Sequence, residues 1–155
     1  MDFVGFECLA MPKLYIFAIC EKVITDTNGV ASLIGLFNKI SASRSADSPE
    51  VPANAVAPKE YSIFTSWDLE PTDRGKEYNQ FYEFFYPDGT QFGERAILRI
   101  KMGDGKRANS TANSNGLPIG QVGVYTARTW LEDDAKKIVF EPIALQFEVE
   151  VVKLA

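Results

Sequence analysis

Histidine is missing from this chain of 155 residues. Without an imidazole, Ser-His-Asp and Cys-His nucleophile arrangements are excluded, as are zinc sites built on His. Cysteine is nearly as scarce, at Cys8 and Cys20. Two thiols cannot complete a thiolate zinc site, and in a reducing compartment they behave as small hydrophobes rather than as a bridge. A Cys8–Cys20 disulfide is the minor alternative. No Gly-rich segment leads into Lys and Ser or Thr to cradle a phosphate; Gly103-Asp104-Gly105-Lys106 is too short and reads as a hairpin tip. The 16 Lys and Arg are outnumbered by 21 Asp and Glu, for a net charge of -5. That balance repels phosphate backbones, so no nucleic-acid partner is expected. No apolar run approaches the ~20 residues of a membrane-crossing helix, so no membrane is expected either. The opening Met1-Asp2-Phe3-Val4-Gly5-Phe6-Glu7-Cys8 is acidic, with too short an apolar stretch for a secretory signal. Residence in the cytoplasm, or in a particle assembled there, is the expectation, with no cofactor.

Aromatic residues are abundant: eleven Phe, six Tyr and two Trp. With 46% hydrophobic and 24% charged residues, the composition is that of an ordinary globular domain. A chain of this size folds as one domain that buries roughly 70% of its unfolded surface, without help from disulfides or metal.

Side chains alternate with a period of two, and helical periodicity is almost absent. Leu14 to Cys20 is a continuous apolar run, read as a strand buried on both faces. Thr25-Asp26-Thr27-Asn28-Gly29 predicts a tight reversal. A second strand is expected over Val30–Ile40, with Gly35 marking a bulge or the close approach of another backbone. Residues 41–60, with Pro49, Pro52 and Pro58, read as a long irregular insertion. Alternation returns at Tyr61–Leu69, Glu77–Tyr86, Arg95–Lys101, Gly123–Leu131 and Ala144–Leu154, separated by Gly, Pro and Asp turns. The polar stretch Asn109–Gly116 is either an edge strand or a loop. About seven to nine short antiparallel strands at this spacing indicate an all-β, immunoglobulin-like sandwich, though without the Cys-Trp-Cys pattern of antibody domains.

Few groups remain for chemistry. Arg95, Arg99, Lys101, Lys106 and Arg107 alternate with Ile97, Leu98, Ile100 and Met102, as on a strand with one solvated face. Glu132, Asp133 and Asp134 form a weak candidate cluster for a hard cation, with a solvated turn as the plainer reading. Glu83 shares a face with Phe81 and Phe85, but an acid–base role would need a second group that spacing does not supply. Tyr78, Tyr82, Phe84 and Tyr86 share the other face of that strand. Such a stripe is usually a sheet's inner layer, and less often a platform for a sugar or base. With rings on both faces, the strand is buried on both sides or covered by a partner.

Met11-Pro12-Lys13-Leu14-Tyr15-Ile16-Phe17-Ala18-Ile19-Cys20-Glu21 and Ser32-Leu33-Ile34-Gly35-Leu36-Phe37-Asn38-Lys39-Ile40 resemble a family of small uncharacterised bacterial proteins, a domain of unknown function. In that family a hydrophobic strand ends in a Cys-Asp-like pair, and a Leu-Ile-Gly-Ile-Phe-Asp-like strand follows. Gly116-Leu117-Pro118-Ile119 and Gly123-Val124-Tyr125 are similar to its later pattern. The resemblance implies an immunoglobulin-like sandwich and no assigned activity. It also implies that residues 1–10, carrying Phe3, Val4, Phe6 and Leu9, form an apolar arm ahead of a single domain at 11–155.

These readings favour a non-enzymatic sandwich acting through protein–protein contact or self-association, as an adaptor or assembly subunit, for example in a phage or phage-like particle. The candidate contact residues are those of the arm and the Tyr78, Tyr82, Phe84 and Tyr86 stripe. A module binding a sugar or small molecule against Tyr82, Tyr86 or Trp130 is the alternative, and a carboxylate enzyme the third.

Overall fold

The computed structural model describes residues 11–45 and 47–154. They form nine strands and no α-helix: β1 (Lys13–Thr25), β2 (Ala31–Leu36), β3 (Lys39–Ser45), β4 (Val56–Asp68), β5 (Glu77–Phe85), β6 (Gln91–Lys101), β7 (Arg107–Pro118), β8 (Gly123–Glu132) and β9 (Ile138–Leu154). One turn of 3-10 helix at Pro71–Asp73 interrupts the pattern. Among the described residues no helix is long and apolar enough to cross a membrane. Sheet I has the order β2-β1-β4-β7 and sheet II the order β3-β9-β8-β5-β6. The two layers make an all-β sandwich.

The β1–β2 hairpin turns where Asn-Gly requires it. The Asp26 carboxylate accepts the amides of Asn28 and Val30, each at 2.8 Å, and Gly29 adopts φ 79°. Gly35 is a close-approach position: φ is 65°, and a Cβ there would lie 2.6 Å from Cγ of Glu21.

The structure corrects two expectations and decides a third between its two readings. The strand expected over Val30–Ile40 is two strands in different sheets. Between them Phe37 turns inward, edge-on to Tyr61 of sheet I and Phe147 of sheet II, so the chain crosses the core there. β3 then runs parallel to β9, whereas all the other pairs are antiparallel. The irregular insertion expected at 41–60 shrinks to the residues between Ser45 and Val56. Pro58 fits inside β4 because the β4–β7 register slips between Ala57 and Glu60, where a missing N–H costs no ladder bond. Pro142 lies at a similar slip in β9, between the partners Ile143 and Phe140. The polar 107–118 stretch is an edge strand, β7.

Two apolar clusters fill the space between the sheets. The larger holds Ile19, Tyr61, Ile63, Tyr82, Leu117, Tyr125, Phe147 and Val149. The smaller holds Trp67, Tyr78, Met102 and Leu131. Alternation along each strand sets a polar residue between them: Thr65 in β4, Gln80 in β5, Ser110 in β7 and Thr129 in β8, all buried. Gln80 Nε2 donates to Thr65 Oγ1 at 2.9 Å and to Thr129 Oγ1 at 3.1 Å, and Thr65 Oγ1 lies 3.3 Å from the Tyr82 hydroxyl. This belt ties β4 of sheet I to β5 and β8 of sheet II. Buried polar groups keep such a fixed arrangement only when they are paired, so the belt sets how the two sheets align.

Candidate interaction face

The chemistry-rich surface is the outer face of sheet II. In the antiparallel β5–β8 ladder, Phe81 lies opposite Trp130 and Glu83 opposite Arg128. The Phe81 and Trp130 rings stack 5.0 Å apart at 8°. Arg95, from β6 on the other side of β5, places its guanidinium 5.1 Å from the Trp130 ring centre and 5.7 Å from that of Phe81. Arg128 lies 4.2 Å from the ring of Phe85. Offset stacking adds about 0.5–1.5 kcal/mol beyond the area buried, and each cation–π contact about 0.5–1 kcal/mol at a wet surface. Trp130 Nε1 donates to Glu132 at 2.9 Å.

Glu83 joins the two guanidinium groups. Its side chain is only 6% exposed although it points out of the sandwich, because Arg95 and Arg128 lie over it. Arg95 donates to Oε1 at 2.8 Å and Arg128 to Oε2 at 3.1 Å, so each carboxylate oxygen already accepts an arginine. The Nε of Arg128 is shielded from solvent and has no acceptor among the described residues. Around this centre Ile97 and Val124 are exposed at 60% and 47%. Farther out, Arg99 binds Glu77 and Asp134, and the Arg99 pKa is raised by those hydrogen bonds, Asp134 first. The same contact holds the Asp134 carboxyl below its ordinary value. Lys39 and Glu150 pair at 2.7 Å on the opposite side of the sheet, the carboxyl again lowered by its lysine partner.

The pattern of one protein family matches residues 15–143 of this chain. The chain belongs to DUF6941, a family of unknown function. No curated protein matches it. Among solved structures it is similar to a β-glucuronidase from Bacteroides uniformis, with 13% identity and a TM-score of 0.50, over 64% of this chain and 12% of that one. It is also similar to the PmoD soluble domain from Methylocystis sp. ATCC 49242, with 13% identity and a TM-score of 0.33, over 92% and 98% of the two chains. A third is a conjugative transposon lipoprotein from Bacteroides eggerthii, with 13% identity and a TM-score of 0.30, over 66% and 94%. The first likeness concerns the fold alone, and the chain corresponds to a small part of the enzyme's length.

The residues singled out by sequence fall in several places. Tyr78, Tyr82, Phe84 and Tyr86 do share a face, but it is the inner one. Tyr78 and Tyr82 are 5% and 1% exposed, and Phe84 and Tyr86 pack on the larger cluster. Tyr78 and Tyr82 present no contact surface, because their rings fill the space between the sheets, and Tyr82 is likewise closed to a ligand from solvent; Phe84 and Tyr86 are half-buried. Phe3, Val4, Phe6 and Leu9 lie outside the described residues. Glu132, Asp133 and Asp134 do not converge. Glu132 takes the Trp130 indole, Asp133 accepts the Lys137 amide at 2.9 Å, and Asp134 turns to Arg99. Among the described residues no three His, Cys, Asp or Glu side chains are grouped to hold a metal. Cys20 is a free, buried thiol, and burial pushes its pKa up. The basic stretch is solvent-facing but not idle: Arg95, Arg99 and Arg107 each hold a carboxylate. Arg95, Arg128 and Trp130 as a unit escaped sequence reasoning. The available signal was alternation, which sets Arg128 and Trp130 on one face of β8 and Phe81, Glu83 and Phe85 on one face of β5.

Proposed function

We propose that this chain is a non-enzymatic contact module that docks another protein on the outer face of sheet II. The observation that carries the reading is the Arg128 Nε, a shielded donor without an acceptor, at the centre of a face built from stacked Phe81 and Trp130 and two arginines. A buried donor costs about 1–3 kcal/mol when unpaired, and a partner's carbonyl or carboxylate would remove that cost once the half-exposed Arg128 side chain turns its Nε toward it. Trp130 and Phe81 are themselves 5% and 7% exposed beneath the arginines, so the contact falls to the half-exposed guanidinium groups of Arg95 and Arg128, and Arg is a residue type enriched among those that dominate binding energy at protein interfaces. The salt links hold both guanidinium groups in place before binding, which lowers the ordering cost that association must overcome.

The test is site-specific photo-crosslinking in cells of the source organism. A photoreactive residue at Ile97 samples the sheet II face, and one at Leu36, exposed at 63% on sheet I, is the control. A discrete protein adduct from Ile97, absent from Leu36 and lost on adding Arg128→Ala, is the expected result. Adducts of equal yield from both positions, or an Ile97 adduct that ignores Arg128→Ala, would overturn the reading.

A further inference from the structure

We infer that β7 is the seam of a symmetric dimer, in which its free edge pairs antiparallel with β7 of a second copy of this chain. The strand's own sequence selects that occupant. Read outward from Ala112, its residues come in matching pairs: Thr111 and Asn113, Ser110 and Ser114, Asn109 and Asn115, Ala108 and Gly116. An antiparallel pairing of one segment with itself runs the sequence backwards, so a twofold axis at Ala112 sets each residue opposite its counterpart in the other copy. Hydroxyl then faces hydroxyl and carboxamide faces carboxamide, and each such group both donates and accepts. Asn109, Asn113 and Asn115 are exposed on one face of the strand. Ser62 Oγ donates to Asn113 Oδ1 at 2.8 Å, which leaves the amide nitrogen of Asn113 to donate to Thr111 of the second copy.

Among the described residues four strands end the two sheets, and three of them are guarded against such pairing. β2 has only six residues and holds Gly35 at φ 65°. β3 has seven and carries Lys39 and Arg44. β6 carries Glu94, Arg95, Arg99 and Lys101, holds Gly93 at φ 64°, and bulges against β5. Short length, charge and bulges are the means by which native sheets keep an open edge from adding a strand.

The β7 edge has none of these guards. The strand spans twelve residues, and residues 108–118 contain no Asp, Glu, Lys or Arg. Nine successive pairs, from Arg107 with Asp68 to Asn115 with Glu60, join it to β4 without a shift. The edge is therefore extended and held in place before association, and little ordering cost opposes the pairing. Two four-stranded copies of sheet I become one sheet of eight strands. The outer face of sheet II takes no part, so the inference stands apart from the docking proposed there.

The test is sedimentation equilibrium of the full chain, with amide hydrogen exchange read by NMR to locate the contact. The expected result is a reversible dimer, and exchange within residues 109–115 that slows as the dimer forms. Asn109→Lys combined with Asn115→Lys sets like charges opposite each other at both ends of the seam and should weaken the dimer about tenfold. Asn109→Glu combined with Asn115→Lys sets opposite charges there and should keep the dimer. The two positions are about 20 Å apart along one strand, so neither combination acts within a single copy. Both are exposed, and circular dichroism verifies that each variant is folded. A chain that stays monomeric at every soluble concentration would overturn the inference. So would a dimer that ignores the two lysines, one that both combinations weaken equally, or one whose formation leaves exchange in β7 unchanged.

Discussion

The two outer faces of this sandwich cover their rings in different ways. On sheet II, large rings lie outside and arginines from neighbouring strands hold them down, with Glu83 tying Arg95 to Arg128. On sheet I, the outward positions of β4 and β7 are short: Ser62 and Ser66 alternate with Phe64 in β4, facing Asn113, Asn109 and Thr111. Phe64 is 3% exposed and Cys20 is fully buried on that same face. Both faces shield an aromatic ring and both set an arginine over a ring, since Arg107 of sheet I lies 3.6 Å from the Tyr15 ring and binds Asp68 at 2.7 Å; only on sheet II does one buried carboxylate, Glu83, tie two such arginines together. This difference is why the proposed docking surface is placed on sheet II.

The strongest way to break the comparison is to remove each face's ring. Trp130→Ala and Phe64→Ala should each destabilise the fold by about 3–5 kcal/mol, the usual cost of truncating a buried aromatic side chain, measured by urea unfolding. They should differ in function: Phe64→Ala keeps the Ile97 crosslink at temperatures where the protein is folded, and Trp130→Ala loses it. Loss of the crosslink in both variants would show that the two faces are not functionally distinct.

Glu83→Ala is the next largest expected effect. Removing a buried carboxylate from between two cations leaves them facing each other uncompensated. A fully buried case costs about 3–5 kcal/mol, and the two arginines are half in water, so about 2 kcal/mol is expected after solvent screening. Ser66→Ala at a comparable buried position on sheet I should cost about 1 kcal/mol or less. Equal losses in the two variants would mean that the Glu83 links contribute no more than an ordinary side chain.

How much of this was legible beforehand follows the physics of each signal. Period-two alternation located nearly every strand, because a half-buried strand must alternate. It failed over Val30–Ile40, where one apolar run serves two sheets and only the inward turn of Phe37 marks the break. It was indecisive at Asn109–Gly116, since an edge strand with small polar side chains carries little hydrophobic contrast. In β5 it correctly separated Tyr78, Tyr82, Phe84 and Tyr86 from Phe81, Glu83 and Phe85, yet could not say which set faced inward. That is decided by pairings far apart in sequence: Gln80 with Thr65 and Thr129 on the inside, Phe81 with Trp130 on the outside. The sheet II face therefore could not be assembled from local pattern, although each of its residues lay in view.

The smallest effects concern pH, and they separate the shared interior from both outer faces. Burial pushes the Tyr78 hydroxyl up to about 12, with nearby Asp73 adding to the shift; desolvation likewise raises Tyr61, Tyr82 and Tyr125. A folded-state value above the unfolded one, near 10, means that the native protein holds protons the unfolded chain has released. These groups contribute stability that is complete below the unfolded value and is lost as pH rises toward about 12 for Tyr78. Ultraviolet titration should show tyrosinate from the inner rings appearing together with loss of the fold, and Tyr78→Phe should move that transition to higher pH. By contrast Arg99→Ala, which removes only a solvent-exposed link to Glu77 and Asp134, should leave the alkaline transition where it was. An alkaline midpoint that follows Arg99 rather than Tyr78 would place the pH sensitivity on the outer face and reverse the assignment.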